Sequence, residues 1–125
     1  MQIKTLYPHF YHKCDVHGRP VYYELVGEVQ LAELLKHVCL ERLVKLHILA
    51  WEKTRQEIFP ACSARVGREV FTCTAVLDLK GLKLNSFTKD VREFISQIAA
   101  IDQARCPLAT MLVCLLGVCM VPCKP

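Results

Sequence analysis

The chain has 125 residues, 53% of them hydrophobic and 22% charged, with a formal net charge of +4. That length fits one domain at most, and the apolar content excludes a chain that is disordered throughout. The basic surplus is small, the signs are interspersed and no run of five or six basic residues occurs, so nucleic acid is not an expected partner.

From Met1 to Tyr11 there is one Lys and no continuous apolar core, which reads as a cytosolic chain without a leader. In that setting the eight cysteines are expected as thiols rather than disulfides. His12, Cys14 and His17 stand close enough to share a metal, but no fourth ligand is evident, and no cofactor is expected.

Asp15 to Pro20 has the composition of a tight turn, with Gly18 free to take positive φ and Pro20 favouring extension before it. Val21 to Val26 then alternates as a strand. Tyr22 and Glu24 share one face, and Val21, Tyr23 and Leu25 share the other. Gly27 ends it. A short helix is expected over 29–37, with Leu31, Leu34, Leu35 and Val38 on one stripe. A longer helix follows from about Leu40 to Phe59. Leu43, Val44, His47, Ile48, Trp51 and Ile58 form its apolar arc, and Glu41 and Lys45 pair on the opposite face. Pro60 is expected to kink or end it, with Gly67 as the stop.

Glu69 to Leu79 reads as a strand uncharged on both faces until Asp78, as in a parallel sheet covered on both sides. Val70, Thr72, Thr74 and Val76 alternate with Phe71, Cys73, Ala75, Leu77 and Leu79. After the Lys80-Gly81 turn, Leu82 and Leu84 form a brief extended piece. Asn85 or Ser86 then caps a helix running to about Ile101, with Val91, Phe94, Ile95, Ile98 and Ile101 as its buried stripe. The order strand, helices, strand, helix implies an α/β fold with parallel strands and helical crossovers. Two firm strands are legible, too few for a complete core.

Composition changes at Ala104: every Asp and Glu lies before it. Between Pro107 and Pro122 stand 14 residues, of which Thr110 alone is plainly polar. As a helix they would reach about 21 Å, short of the roughly 30 Å of a bilayer core. A buried or aggregation-prone segment is the expectation.

Taken in order, YPHFYHKCDVHGRPVYYELVG at 7–27, LVKLHILAWEKTRQEIFPACSARVGREV at 43–70, FTCTAVLDLKGL at 71–82 and VREFISQIAAIDQ at 91–103 resemble the Sec14-like (CRAL-TRIO) phosphatidylinositol/phosphatidylcholine transfer proteins, particularly the fungal branch. The resemblance covers about four-fifths of the chain. It implies a partial CRAL-TRIO lipid-binding domain over 1–103 and a non-family hydrophobic, Cys-rich tail over 104–125. It also implies a phospholipid ligand, transient contact with Golgi or endoplasmic reticulum membranes, and a non-enzymatic role. By position, Thr72 and Thr74 match a Ser/Thr pair near the inositol phosphate. Tyr11 and Tyr22 match aromatics of the phosphatidylcholine headgroup site. Glu24 shares the face of Tyr22 and either orients it or is simply solvated, whereas His47 and Trp51 read as core packing. The change at Ala104 points to a truncated gene model, an unspliced intron or a shifted frame, so impaired transfer is expected of this chain. The alternatives are a small protein-interaction module and a non-functional fragment. No nucleophile-elbow, P-loop, dinucleotide or zinc-protease motif occurs, which argues against an enzyme.

Overall fold

The structure is a computed structural model that describes residues 3–83, 85, 87–105, 110–115 and 118–120. A short helix α1 (Ile3–Leu6) leads into β1 (His9–Cys14) and β2 (Pro20–Glu24). A 3-10 turn over Val26–Glu28 precedes α2 (Leu31–Leu35) and α3 (Leu40–Lys53). A π-helical turn, Thr54–Ile58, joins α3 to α4 (Phe59–Val66). Then come β3 (Thr74–Asp78), α5 (Lys89–Arg105), β4 (Thr110–Leu115) and β5 (Val118–Met120).

The strands form one sheet in the order β1-β2-β3-β4-β5. The two strands legible in the sequence, β2 and β3, pair in parallel as expected, with Val21 opposite Thr74 and Glu24 opposite Leu77. β3 pairs in parallel with β4, and the outer pairs β1·β2 and β4·β5 are antiparallel. β1 escapes sequence reading because His9-Phe10-Tyr11-His12-Lys13-Cys14 lacks an apolar alternation; its partner strand makes it a strand. Likewise β4 and β5 lie in the short apolar run after Pro107, where periodicity does not separate strand from helix.

The hairpin turn is built on Asp15. Its Oδ1 accepts from the backbone N–H of His17 at 2.9 Å and of Arg19 at 3.0 Å, while Gly18 sits at φ 79°. This turn also explains why β3 starts at Thr74 rather than Glu69. β2 begins at Pro20, level with Cys73, so residues 69–72 lie beyond the end of the strand they would join. Freed from strand alternation, Val70 and Cys73 bury into one cluster with Phe59 and Cys62.

Pro60 does not end the helix. Its ring would clash with the carbonyl four residues back in a regular α-helix. The π-helical turn, in which the Phe59 N–H reaches the Thr54 carbonyl, widens the coil just before it. The chain then runs on to Gly67, which stops the helix at φ 71° with its N–H bonded to the Ser63 carbonyl at 3.0 Å. The expected surface pair is present, with Lys45 Nζ 2.8 Å from Glu41 Oε1. The cap of α5 is Thr88, whose hydroxyl accepts from the Val91 N–H at 3.4 Å; Asn85 is not the cap, and Ser86 and Leu84 fall outside the described residues.

Strands β2, β3 and β4 step across the sheet in one direction, so right-handed crossovers carry α2–α4 and α5 to the same face. There Leu31, Leu34, Leu43 and Phe94 form a core joined by Tyr7, Val91 and Ile98, with Leu34 fully buried. Ile95, read as part of the buried stripe, is instead 45% exposed, because it lies off the line of Val91, Phe94 and Ile98 that packs into this core. On the other sheet face Phe10 stacks on Tyr23, ring centroids 5.2 Å apart, and stays 47% exposed.

Candidate functional site

Register and alternation decide which side chains meet. Tyr11 opposes Tyr22, and His9 opposes Glu24, so all four share the helix-covered face. The Tyr11 and Tyr22 rings lie 5.3 Å apart, tilted by 56°. Tyr11 Oη is 3.0 Å from Thr54 Oγ1, and Thr54, 2% exposed, donates to the Ala50 carbonyl at 2.9 Å. Thr54 therefore uses its one proton along the helix, and the Tyr11 hydroxyl donates to it.

Glu24 anchors the other end of the pair. Its Oε2 accepts from Tyr22 Oη at 3.2 Å and its Oε1 from Tyr7 Oη at 2.6 Å. The orienting role read for Glu24 is thus visible as a hydrogen bond, and Tyr7 is a second partner that sequence spacing does not suggest. Burial first, and then the Glu24 charge, push both phenols far above the usual tyrosine range.

Behind this cluster Asp102 of α5 ties the helices together. Its Oδ1 is 2.6 Å from His47 Nε2 and accepts from Trp51 Nε1 at 2.6 Å. His47 and Trp51 are half-buried rather than fully in the core, and they are held by a carboxylate that no motif marks. The available signal is that two ring N–H groups at i,i+4 on a buried arc require an acceptor.

The threonines stand elsewhere. Thr74, 4% exposed, falls in register with Val21, on the face opposite Tyr22. Its Oγ1 donates to Asp15 Oδ2 at 2.8 Å, and Arg19 Nε reaches the same oxygen at 2.7 Å. Burial of Asp15 opposes its ionisation. The hydrogen bonds from Thr74, Arg19 and His17 outweigh it and hold the carboxyl below its ordinary value. Thr72 is half-buried in the lead-in to β3. The structure therefore brings Tyr11 and Tyr22 together and keeps Thr74 apart from them. A shallow cavity of about 200 Å³ lies among Trp51, Arg55, Phe59 and Phe71, below the roughly 300–1,000 Å³ of small-molecule sites. Among the described residues no group of three or more His, Cys, Asp or Glu side chains is placed to hold a metal, His12, Cys14 and His17 included. No helix among them is long and apolar enough to cross a membrane.

The CRAL/TRIO domain family model matches residues 4–117. This chain belongs to that family. Among its relatives are two Arabidopsis thaliana phosphatidylinositol/phosphatidylcholine transfer proteins. SFH4 is 39% identical over 106 residues, covering 85% of this chain and 17% of that protein. SFH11 is 39% identical over 101 residues, covering 81% of this chain and 27% of that protein. The Schizosaccharomyces pombe Sec14 cytosolic factor is 36% identical over 101 residues, covering 81% of this chain and 35% of that protein. The chain thus spans about a sixth to a third of the length of these relatives. The CRAL/TRIO match includes Tyr11, Tyr22, Thr72 and Thr74 and runs past Gln103.

Proposed function

We propose that this CRAL/TRIO chain binds phosphatidylinositol and phosphatidylcholine and takes part in moving them between membranes. The observation that carries the reading is its family match together with relatives named for that transfer. The role is binding and carriage, with no chemical step. It belongs in the cytosol, with transient contact at Golgi or endoplasmic reticulum membranes and none with nucleic acid.

In this reading the two residue pairs serve different headgroups. The Tyr11–Tyr22 pair with Glu24 alongside suits a quaternary ammonium, which is drawn to aromatic faces and to a carboxylate. Thr72 and Thr74 supply hydroxyl donors to the phosphate of an inositol lipid. Thr74 has one proton and gives it to Asp15, so binding phosphate requires that bond to be exchanged. Acyl chains need apolar walls, at about 0.8 kcal/mol per buried CH₂. Among the described residues helices cover one face of the sheet, and the Phe10–Tyr23 stack on the other is open. The 125-residue chain is accordingly expected to transfer lipid more slowly than a full-length relative.

The test is transfer of fluorescent phosphatidylcholine and phosphatidylinositol from donor to acceptor vesicles, read per folded molecule. Y11F/Y22F keeps both rings and should retain phosphatidylcholine binding, whereas Y11A/Y22A should lose about tenfold or more, a cation–π contact being worth up to ~2 kcal/mol. Thr72→Val should weaken phosphatidylinositol selectively. Thr74→Val should also lower stability by about 1.5–3 kcal/mol, the worth of a hydrogen bond to a charged group. Phosphatidylcholine binding unchanged in Y11A/Y22A would remove the tyrosine pair from the site.

A further inference from the structure

Cys14 and Cys62 are 48 positions apart in the chain, yet their sulfurs lie 3.7 Å from one another, in van der Waals contact. A fault in β1 brings them together. The β1·β2 ladder pairs Tyr11 with Tyr22 and then Cys14 with Pro20, so β1 carries one extra residue. Lys13 absorbs it at φ 59°, a conformation that a residue with a side chain rarely takes. In an unbroken ladder Lys13 would oppose Pro20 and share the face of Tyr11 and Tyr22, while Cys14 would point to the opposite face. The bulge exchanges them. Cys14 is thereby turned toward α4, against the buried cluster of Phe59, Cys62, Val70 and Cys73.

We propose that Cys14 and Cys62 form a reversible disulfide, closed by a peroxide, that ties the β1–β2 hairpin to α4. The bond length of about 2.05 Å leaves about 1.6 Å to close from the observed contact. The two thiols are not equivalent. Cys14 is half-buried at the end of a strand, and Cys62 is buried. Burial, and then the neighbouring Cys14 thiol, raise the pKa of Cys62. Cys14 is therefore the thiol that meets the oxidant. Its thiolate attacks one peroxide oxygen, the O–O bond breaks, and hydroxide leaves a sulfenic acid on Cys14. The Cys62 thiolate then attacks that sulfur, the S–S bond forms and a second hydroxide departs. The two thiol protons convert both hydroxides to water. Two thiols are oxidised, one peroxide is reduced, and dithiothreitol reverses the change. The hairpin so fastened carries Tyr11 and Tyr22.

The experiment uses the full chain, reduced or treated with hydrogen peroxide. Remaining thiols are blocked with N-ethylmaleimide before protease digestion and mass spectrometry. The expected product is a Cys14–Cys62 linked peptide pair, two hydrogens lighter than the free thiols. Tm should rise by on the order of 10 °C, since the bond closes a long loop, and dithiothreitol should reverse the rise. Cys14→Ser and Cys62→Ser should each abolish the linked pair and the rise, whereas Cys39→Ser should keep both. The wild-type peptide map decides the matter even where a variant folds poorly. Maleimide on both Cys14 and Cys62 after oxidation, or Cys62 joined to any other cysteine, overturns the proposal.

Discussion

Gly27→Ala is expected to destabilise the fold by about 3 kcal/mol or more, at the severe end of overpacking. Gly27 lies in the 3-10 turn that follows β2, and it abuts the turn that follows the neighbouring parallel strand β3. A methyl group there would overlap the Lys80 carbonyl oxygen and stand 2.6 Å from the carbonyl carbon. These are backbone atoms, which cannot rotate aside as a flexible side chain would. Relief requires moving the end of β2 away from the end of β3, and the ladder between them resists that. Gly67 supplies the control. It has φ 71° but nothing within 4 Å of an added Cβ, so Gly67→Ala should cost only the left-handed backbone penalty of about 1–2 kcal/mol. Urea unfolding midpoints of the two variants measure the contrast. Equal losses would mean that the two strand ends have room to separate.

Glu24→Ala is expected to lower stability by about 3 kcal/mol, because two part-buried phenol hydroxyls lose one acceptor at once. Tyr7 and Tyr22 both donate to that carboxylate. Glu24→Gln keeps one carbonyl oxygen and should recover part of the loss. The same network fixes an alkaline limit. Both phenols have folded pKa values raised above the ordinary value near 10, by burial first and then by the charge of Glu24. A group raised in the folded state contributes its stability in full below the unfolded value. The contribution is lost as pH rises from about 10 through the folded values. Phenolate absorbance from Tyr7 and Tyr22 should therefore appear together with the loss of circular dichroism, in one cooperative step. Their ionisation while the fold persists would contradict the burial assigned to them.

Local periodicity carried much of the architecture. β2 and the long helix were readable because Pro20 and Gly67 punctuate them and their apolar residues repeat at two and at 3.6, although β2 ends at Glu24 rather than at Val26, where a 3-10 turn takes over. That Tyr22 and Glu24 share a face was readable for the same reason, being two residues apart on one strand; their hydrogen bond distinguishes an orienting Glu24 from a solvated one. What stayed hidden depends on partners distant in sequence. β1 becomes a strand only through β2. The β3 start is set by where β2 begins, so Thr72 falls outside the strand although its residue type suits one. Asp102 lies 55 residues from His47, and Asp15 lies 59 from Thr74; no local spacing announces either contact. The separation of Thr74 from the tyrosine pair follows from sheet register, which a single strand does not disclose.

The most direct test of phospholipid binding is organic extraction of the purified chain, followed by mass spectrometry of the lipids that travel with it. Wild-type protein and Y11A/Y22A are compared at equal folded concentration. The account predicts phosphatidylcholine and phosphatidylinositol with the wild-type chain, and selective loss of phosphatidylcholine from the variant. Wild-type protein that carries neither lipid, and acquires neither on incubation with mixed vesicles, would contradict it.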